Sequence, residues 1–561
     1  MTEREPDLPT DVPVLIIGGG PVGLSTAILL AHQGVPSLLV EQHAGTSIYP
    51  KARFINARTM EVFRQVGVER AVRDVALPDA RNVLWAKSLA GEVMMSRPVE
   101  TMIPEAVRDW SPAPGCTSTQ DVFEPVLVAH AKGGLPTAAH VRFDAQLVGF
   151  EQRAPEQVVA SILDRRNGQA HEVRARYLIG ADGAHSRVRE VLGIPMRGQP
   201  GLRHSVNILF RADLTRWTSG RSVNVCFVTD PGAAGLLLPN GGDRWRFTAF
   251  YYPEKGEKPE DFTAERCLRL VRTAVGVPDL AVELGQTFAW SDAVLVAERF
   301  ADGCAFLAGD AEHLMPPAGG FGMSVGIQSA HNLAWKLAAV FKGWAGPELL
   351  ATYQAERAPI TQQIADQMMR NAVAARRKDG DEPKLDAASA ARSAPGRPEF
   401  FREHGLVFGA TYESSAIVPD GTAAVPLENP TTDYVPSARP GSRAPHVWVE
   451  RGGETISTLD VFGMAMVLLA GSEGGAWRDA ATEIAGRGIP VRGLRVGRGA
   501  DLVDRDGAWE KAYGVDRDGA VLVRPDGHVA WRSPTSMPHP KKELERVLSS
   551  VLGSAAATAC A

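Results

Sequence analysis

"VPVLIIGGGPVGLSTAILLAHQGVPSLLVEQ", residues 12–42, carries the reading that decides the fold. Val14 to Ile17 is a short unbroken apolar run, which suits a strand covered on both faces. Gly18, Gly20 and Gly23 follow as G-x-G-x-x-G, and a helix-like stretch then runs to His32 before Gly34 breaks it. A second apolar run, Ser37 to Val40, ends in Glu41. In such a unit Gly18 makes the tight turn, Gly20 lets a pyrophosphate reach the backbone, and Gly23 lets the helix pack on the strand. The helix N-terminus adds free N–H groups and a partial positive charge for phosphates. Glu41, eighteen residues beyond Gly23, stands where a carboxylate can bond ribose hydroxyls. A glycine triplet alone often marks only a turn. Here strand, turn, helix, strand and acid agree, and the stretch predicts a site for an ADP-containing dinucleotide. The motif by itself does not separate NAD from FAD.

The same stretch is apolar enough to imitate a membrane span, but three successive glycines and a proline at its centre favour strand–turn–helix. The 561 residues, 44% hydrophobic and 22% charged, fit a soluble globular chain of roughly three or four domains. A formal charge of -5 and a pI near 6.3, with no basic run, give no reason to expect nucleic acid or an anionic membrane as partner. The N-terminus, "MTEREPDLPTD", has no secretory pattern. Cys116, Cys226, Cys267, Cys304 and Cys560 are odd in number and never spaced as CxxC. The expectation is a reducing cytoplasm, no disulfide framework and no metal site.

Three further stretches bear on the cofactor. "YPKARFINARTMEVFRQVGV" (49–68) places Arg53 and Arg58 around a helix start, read equally as surface arginines or as one partner for a phosphate or a flavin's polar edge. "RYLIGADGAHSRVRE" (176–190) is a strand running into D-G-x-x-S-x-x-R, in which Ser186 can cap the helix that carries Arg187 and Arg189. "AGDAEHLMPPAGGFGMSVGIQSAHNLAWKL" (308–337) follows a strand with Asp310, a rigid loop and a helix read from Met323 to Leu337. Asp310 can accept bonds from a ribityl chain. Pro317, Gly319 and Gly320 let a flat ring lie against the backbone, with Gly322 and Met323 at the helix entry beside it. The positive helix end then faces the ring's pyrimidine edge.

In this order "GGGPVG" (18–23), "DGAHSRVR" (182–189) and "GDAEHLMPPAGGFGMSVGIQSAHNLAWKL" (309–337) resemble the single-component, FAD-dependent aromatic hydroxylases of the para-hydroxybenzoate hydroxylase type, over roughly the first 375 residues. "TSTQDVFEPVLVAHA" (117–131) adds Gln120, which matches a family glutamine that contacts the flavin. "YESSAIVPDG" (412–421) and "DYVPSARPGSRAPHVWV" (433–449) resemble the subgroup acting on aromatic polyketides and phenols. The resemblance implies tight, non-covalent FAD and transient NADPH. Asp182 and Arg189 then serve both, and Asp310 holds the ribityl chain. It implies a monooxygenase that delivers one atom of dioxygen to an aromatic, polyketide-type small molecule through a flavin hydroperoxide, as a monomer or homodimer. Baeyer–Villiger and antibiotic-inactivating variants share these motifs, while a quinone reductase and a flavin-binding non-enzyme are the other readings. The chain departs from the family at Ser324-Val325, where Asn-Thr is common, and at Ser329, where Asp is common.

The expected fold is α/β: a Rossmann-like FAD-binding domain (1–190 plus 291–375), an antiparallel-sheet substrate domain (191–290, joined by part of 76–110) and a thioredoxin-like α/β domain (399–561). Residues 376–398, charged and rich in Ala, Ser and Pro, read as a linker. Residues 200–295 carry short, partly alternating apolar runs, and the family places its substrate floor there. Phe210, Trp245, Phe247 and Trp290 are the aromatic nominees for substrate contact. Tyr251, Tyr252 and His204 are nominees for polarising a phenol hydroxyl near neutral pH. In the C-terminal part Pro525-Asp526-Gly527 predicts a hairpin, and "AGSEGGAW" (470–477) stands where a redox CxxC would follow the strand. Without cysteines there, dithiol chemistry is excluded and a structural or dimer-stabilising role is expected.

Overall fold

Val14, Leu15 and Ile16 are wholly buried because the strand they occupy, Asp11–Ile17, lies between two parallel neighbours. Ile17 stands level with Val40 of Ser37–Val40 on one side and with Gly180 of Gln169–Gly180 on the other. Ala305–Leu307 pairs in parallel beyond the latter, and His140–Arg142 beyond the former. Neighbouring parallel strands end on the same edge. Gly18, Glu41, Asp182 and Asp310, scattered over almost three hundred positions, therefore follow strand ends along one side of the sheet. The computed structural model that shows this describes residues 8–374 and 402–553, apart from positions 79, 134, 138, 154, 155 and 318. The expected linker, 376–398, lies outside the described residues.

Helix Pro21–His32 is pressed onto this sheet by its glycines. A Cβ on Gly23 would lie 1.9 Å from the Gly18 carbonyl oxygen, and one on Gly18 would lie 2.2 Å from that of Ala181. The long helix Phe321–Phe341 packs just as closely, with Gly326 against Gly309 and Val22. It begins two residues before the predicted start, because Gly320 in a left-handed turn (φ +73°) supplies its N-cap. It runs past Leu337 because no breaker precedes Gly343.

A second sheet has seven strands in the order Glu283–Ser291, His204–Arg211, Arg244–Tyr251, Gly235–Gly241, Val223–Val228, Asn82–Ala86, Val93–Pro98. The expectation of an antiparallel sheet needs correction at one seam: Val223–Val228 and Asn82–Ala86 run parallel, because the latter arrives from a distant part of the chain. Period-two alternation gives the sheet two different faces. His204, Val206, Ile208 and Phe210 pair with Tyr251, Ala249, Phe247 and Trp245. Most of this face is core under the helix Ala264–Val275.

The C-terminal sheet has the order Val491–Arg495, Met466–Ala470, Ala520–Val523, Val529–Ser533, parallel in its first pair and antiparallel in the rest. Helices Gly475–Ala485 and Pro540–Leu552 share one apolar cluster on it, a thioredoxin-like arrangement. Its Pro525–Gly527 hairpin enters the centre of the molecule. The wholly buried Arg524 donates to Glu356 Oε1 and Oε2 at 2.6 and 2.8 Å and to Asp526 Oδ2 at 2.5 Å. Lys336 Nζ, on the long helix, donates to Glu356 Oε2 at 2.7 Å. Burial alone would raise the Glu356 pKa, but Arg524 and Lys336 pull it well below the usual carboxylate range. This contribution is complete above the unfolded carboxylate pKa of about 4.3 and is lost as pH falls toward the depressed folded value.

Arg524→Met strands two buried carboxylates with one lysine. A loss of about 3–5 kcal/mol is expected, read as a lower urea midpoint at pH 7. An unchanged midpoint would show that the cluster does not hold the C-terminal domain in place.

Candidate active site

The shared strand edge opens into a cavity of about 2590 Å³. One wall is Gly18–Val22, Glu41, Asp182, Asp310 and the turn from Pro316 to Met323; the other is the second sheet. The glycines test whether a dinucleotide fits. Gly18 and Gly23 are closed off by protein, whereas a Cβ on Gly20 would meet nothing within 4 Å. The middle glycine alone faces open space, as close approach of a pyrophosphate to the backbone requires. Gly322, in the first turn of the Phe321–Phe341 helix, is open in the same way.

Glu41 faces the cavity and braces the glycine turn, accepting from the Gly19 N–H at 2.7 Å and the His43 N–H at 2.9 Å. Asp182 accepts from Ser186 Oγ at 2.5 Å and from the Val188 N–H at 3.1 Å. Burial pushes its pKa up, and those bonds pull against the rise. Ser186 caps its helix by accepting from the Arg189 N–H at 3.0 Å. Arg189 does not line the cavity. Its guanidinium donates to the Ala184 and Ala311 carbonyls at 2.8 and 3.0 Å and so ties the Asp182 turn to the Asp310 turn. Its neighbours His185 and Arg187 reach the cavity.

Asp310 opens to the cavity, yet burial pushes its pKa up, opposed by the charges of His313 and Lys51. Gln120 lines the wall, accepting from the Ala52 N–H at 3.1 Å and donating to Glu124 at 2.6 Å. Arg53 and Arg58 part company. Arg58 donates to Glu61 and to the Asp526 carbonyl, at the C-terminal interface. Arg53 reaches the cavity and donates to the carbonyls of Asn224 and Pro239 at 2.8 and 2.9 Å. Burial first, then Arg246, lowers its pKa to about 9. Pro317, Gly319, Gly320, Gly322 and Met323 all line the cavity, with Gly319 and Gly320 at φ +99° and +73°.

Of the aromatic nominees, Trp290 alone faces the cavity; its indole N–H is buried with no partner among the described residues. Phe210, Trp245 and Phe247 are corrected to core residues, since pairing in register puts all three on the helix-covered face. His204, Tyr251 and Tyr252 line the cavity, the first two with ring centroids 5.4 Å apart. The floor holds residues that were not nominated: Asn207 and Thr248, joined by a 2.7 Å bond, with Arg246, Phe250 and Phe288. Counting in twos back from Trp290, across a known register, finds them; residue type does not.

Residues 11–368 match the FAD binding domain family, and residues 437–555 match the aromatic-ring hydroxylase C-terminal family. The chain belongs to the FAD-dependent aromatic-ring hydroxylases. This hydroxylase is 40% identical to tetracenomycin A2 monooxygenase-dioxygenase of Streptomyces glaucescens, over 98% of this chain and 99% of that protein. Its fold matches the flavin-dependent monooxygenase PieE, solved with FAD and substrate, at a TM-score of 0.88 and 36% identity over 98% and 99% of the two chains. It matches aklavinone-11 hydroxylase, solved with FAD and aklavinone, at 0.85 and 37% over 98% and 100%. The hydroxylase is thus a flavin-dependent monooxygenase of the aromatic and polyketide class. Two of its departures point away from the cavity: Ser324 accepts from the Asn56 N–H at 3.4 Å, and Ser329 donates to Glu312 at 3.2 Å. Among the described residues no helix is long and apolar enough to cross a membrane.

Gly20→Val fills space that only the cofactor would use. FAD affinity, titrated by fluorescence on the apoprotein, is expected to fall at least about tenfold while the apoprotein melts as before, in line with overpacking of about 1–3 kcal/mol. Unchanged affinity would remove the glycine turn from the site.

Proposed function

We propose that this hydroxylase uses NADPH to reduce its FAD and inserts one atom of dioxygen into a polycyclic phenol of the aromatic-polyketide type. One observation carries the reading: a single cavity joins the nucleotide-binding strand edge to a floor that is mainly aromatic and carbonyl-rich in its partners. Bound FAD supplies the two-electron redox chemistry and the activation of dioxygen.

The chain's own residues bind, orient and exclude water. Gly18–Gly20 and Glu41 would hold the ADP half, Asp310 the ribityl chain, and the Pro317–Met323 turn the ring. Phe250, Phe288 and Trp290 offer flat faces to fused rings, each such aromatic contact contributing about 0.5–1.5 kcal/mol beyond area. Arg246 stands beside them with its Nη1 on the Pro50 carbonyl at 2.8 Å and no ion-pair partner among the described residues. Burial lowers its pKa only to about 10, so it stays cationic at neutral pH. A desolvated cation that bonds to carbonyls and stands near a second cation, Arg53, favours an oxygen-rich or ionised substrate edge.

The test is NADPH oxidation by the purified yellow protein with a panel of polycyclic phenols, and mass analysis of each product. Strong acceleration with a gain of one oxygen atom is expected, with a much higher kcat/KM for NADPH than for NADH. Acceleration without oxygen in any product would favour a quinone reductase instead.

A further inference from the structure

His313 lies wholly buried under the first turn of the Phe321–Phe341 helix, and the reaction as described above gives it no task. Its Nε2 stands 3.1 Å from the Gly322 carbonyl. A carbonyl only accepts, so Nε2 carries the proton and donates. The other ring nitrogen faces Glu312 Oε1 at 3.4 Å. Glu312 is wholly buried too, and accepts from Thr361 Oγ at 3.0 Å, Ser329 Oγ at 3.2 Å and the Tyr353 hydroxyl at 3.0 Å. Behind it Arg357 Nε donates to Ser329 Oγ at 3.1 Å.

Ion burial costs several kcal/mol per group even after relaxation, and apolar side chains of the same volume would fill this space at less cost. The arrangement therefore calls for a function, and through Gly322 it touches the cavity wall. Burial alone would lower the His313 pKa, but the Glu312 hydrogen bond and the charges of Glu312 and Asp310 outweigh it and raise it. The first N–H groups of a helix have no acceptor within the helix and carry its positive end.

We propose that His313, backed by Glu312, is a positioning residue for the flavin: it draws the Gly322 carbonyl toward the protein interior and adds positive charge behind the helix N-terminus, so that the turn favours the reduced, more negative flavin. This rests on the reading of the Pro317–Met323 turn as the ring's seat. Gly322 has open space where a Cβ would stand, so the seat and the histidine can be tested separately.

The measurement is the two-electron midpoint potential of the flavin in the holoenzyme, with FAD affinity and visible spectrum alongside. His313→Phe removes both donors and is expected to shift the reduction equilibrium about tenfold toward the oxidised form, about 30 mV for a two-electron couple. His313→Gln keeps an N–H for Gly322 and should recover part of the shift. A His313→Phe holoenzyme with an unchanged potential overturns the proposal. Gly322→Val should perturb affinity and spectrum; if it leaves both unchanged, the seat itself is wrong, whereas a perturbed Gly322→Val beside a silent His313→Phe removes only the histidine's role. Should His313→Phe fail to fold, the imidazole nitrogen resonances of His313 in the native holoenzyme are followed through flavin reduction. A shift is expected, and resonances that do not move contradict the proposal.

Discussion

Lys336, Glu356, Arg524 and Asp526 meet as a cluster of buried charges, and the placement of the long helix that ends at the active site depends on that meeting. Lys336 belongs to the helix whose other end turns at the cavity, Glu356 to the following helix, and Arg524 and Asp526 to the C-terminal hairpin. Burial pulls the Lys336 pKa down to about 8 while Glu356 pulls it up, so each member needs the others to stay ionised. Such a set is strong only when complete. It fixes one end of a rigid 21-residue helix and leaves the other end addressed to the cavity. The C-terminal domain, lacking a redox pair after its Met466–Ala470 strand, joins these helices through packing and charge.

The nucleotide half was legible because its signals are local. Glycine spacing, two apolar runs and a closing acid lie within one thirty-residue stretch, and each has a geometric cause that the structure displays. The assembly of the other motifs was not local. Asp182 and Asp310 join Gly18 only because their strands are parallel neighbours, which no spacing reveals, and the family resemblance supplied it. Side-chain direction was the commonest loss. Arg53 and Arg58 stand five positions apart, yet one faces the cavity and the other the Asp526 hairpin, since one precedes its helix and the other lies within it. Phe210, Trp245 and Phe247 have the composition of a pocket and the register of a core. A one-residue difference in strand parity decides between the two.

The two walls of the cavity divide the work. The strand-edge wall is built from backbone: turns, glycines and helix starts that accept a large polar cofactor without long side chains in its way. The sheet wall is built from side chains: flat rings such as Phe250, Phe288 and Trp290 stand beside the polar Asn207, Asn224 and Thr248 and the cationic Arg246. Arg53 bridges the walls, with its stem in the loop before the Ala57–Gln65 helix and its guanidinium on two strands of the floor.

The most direct test is a crystal structure of the holoenzyme with FAD and a polycyclic phenol bound. The flavin ring is expected against the Pro317–Met323 turn, with the phenol on the floor formed by Phe250, Phe288 and Trp290 and an oxygen toward Arg246. A ring seated away from that turn, or a phenol against the Phe210–Trp245–Phe247 face, would contradict the assignment of the two walls.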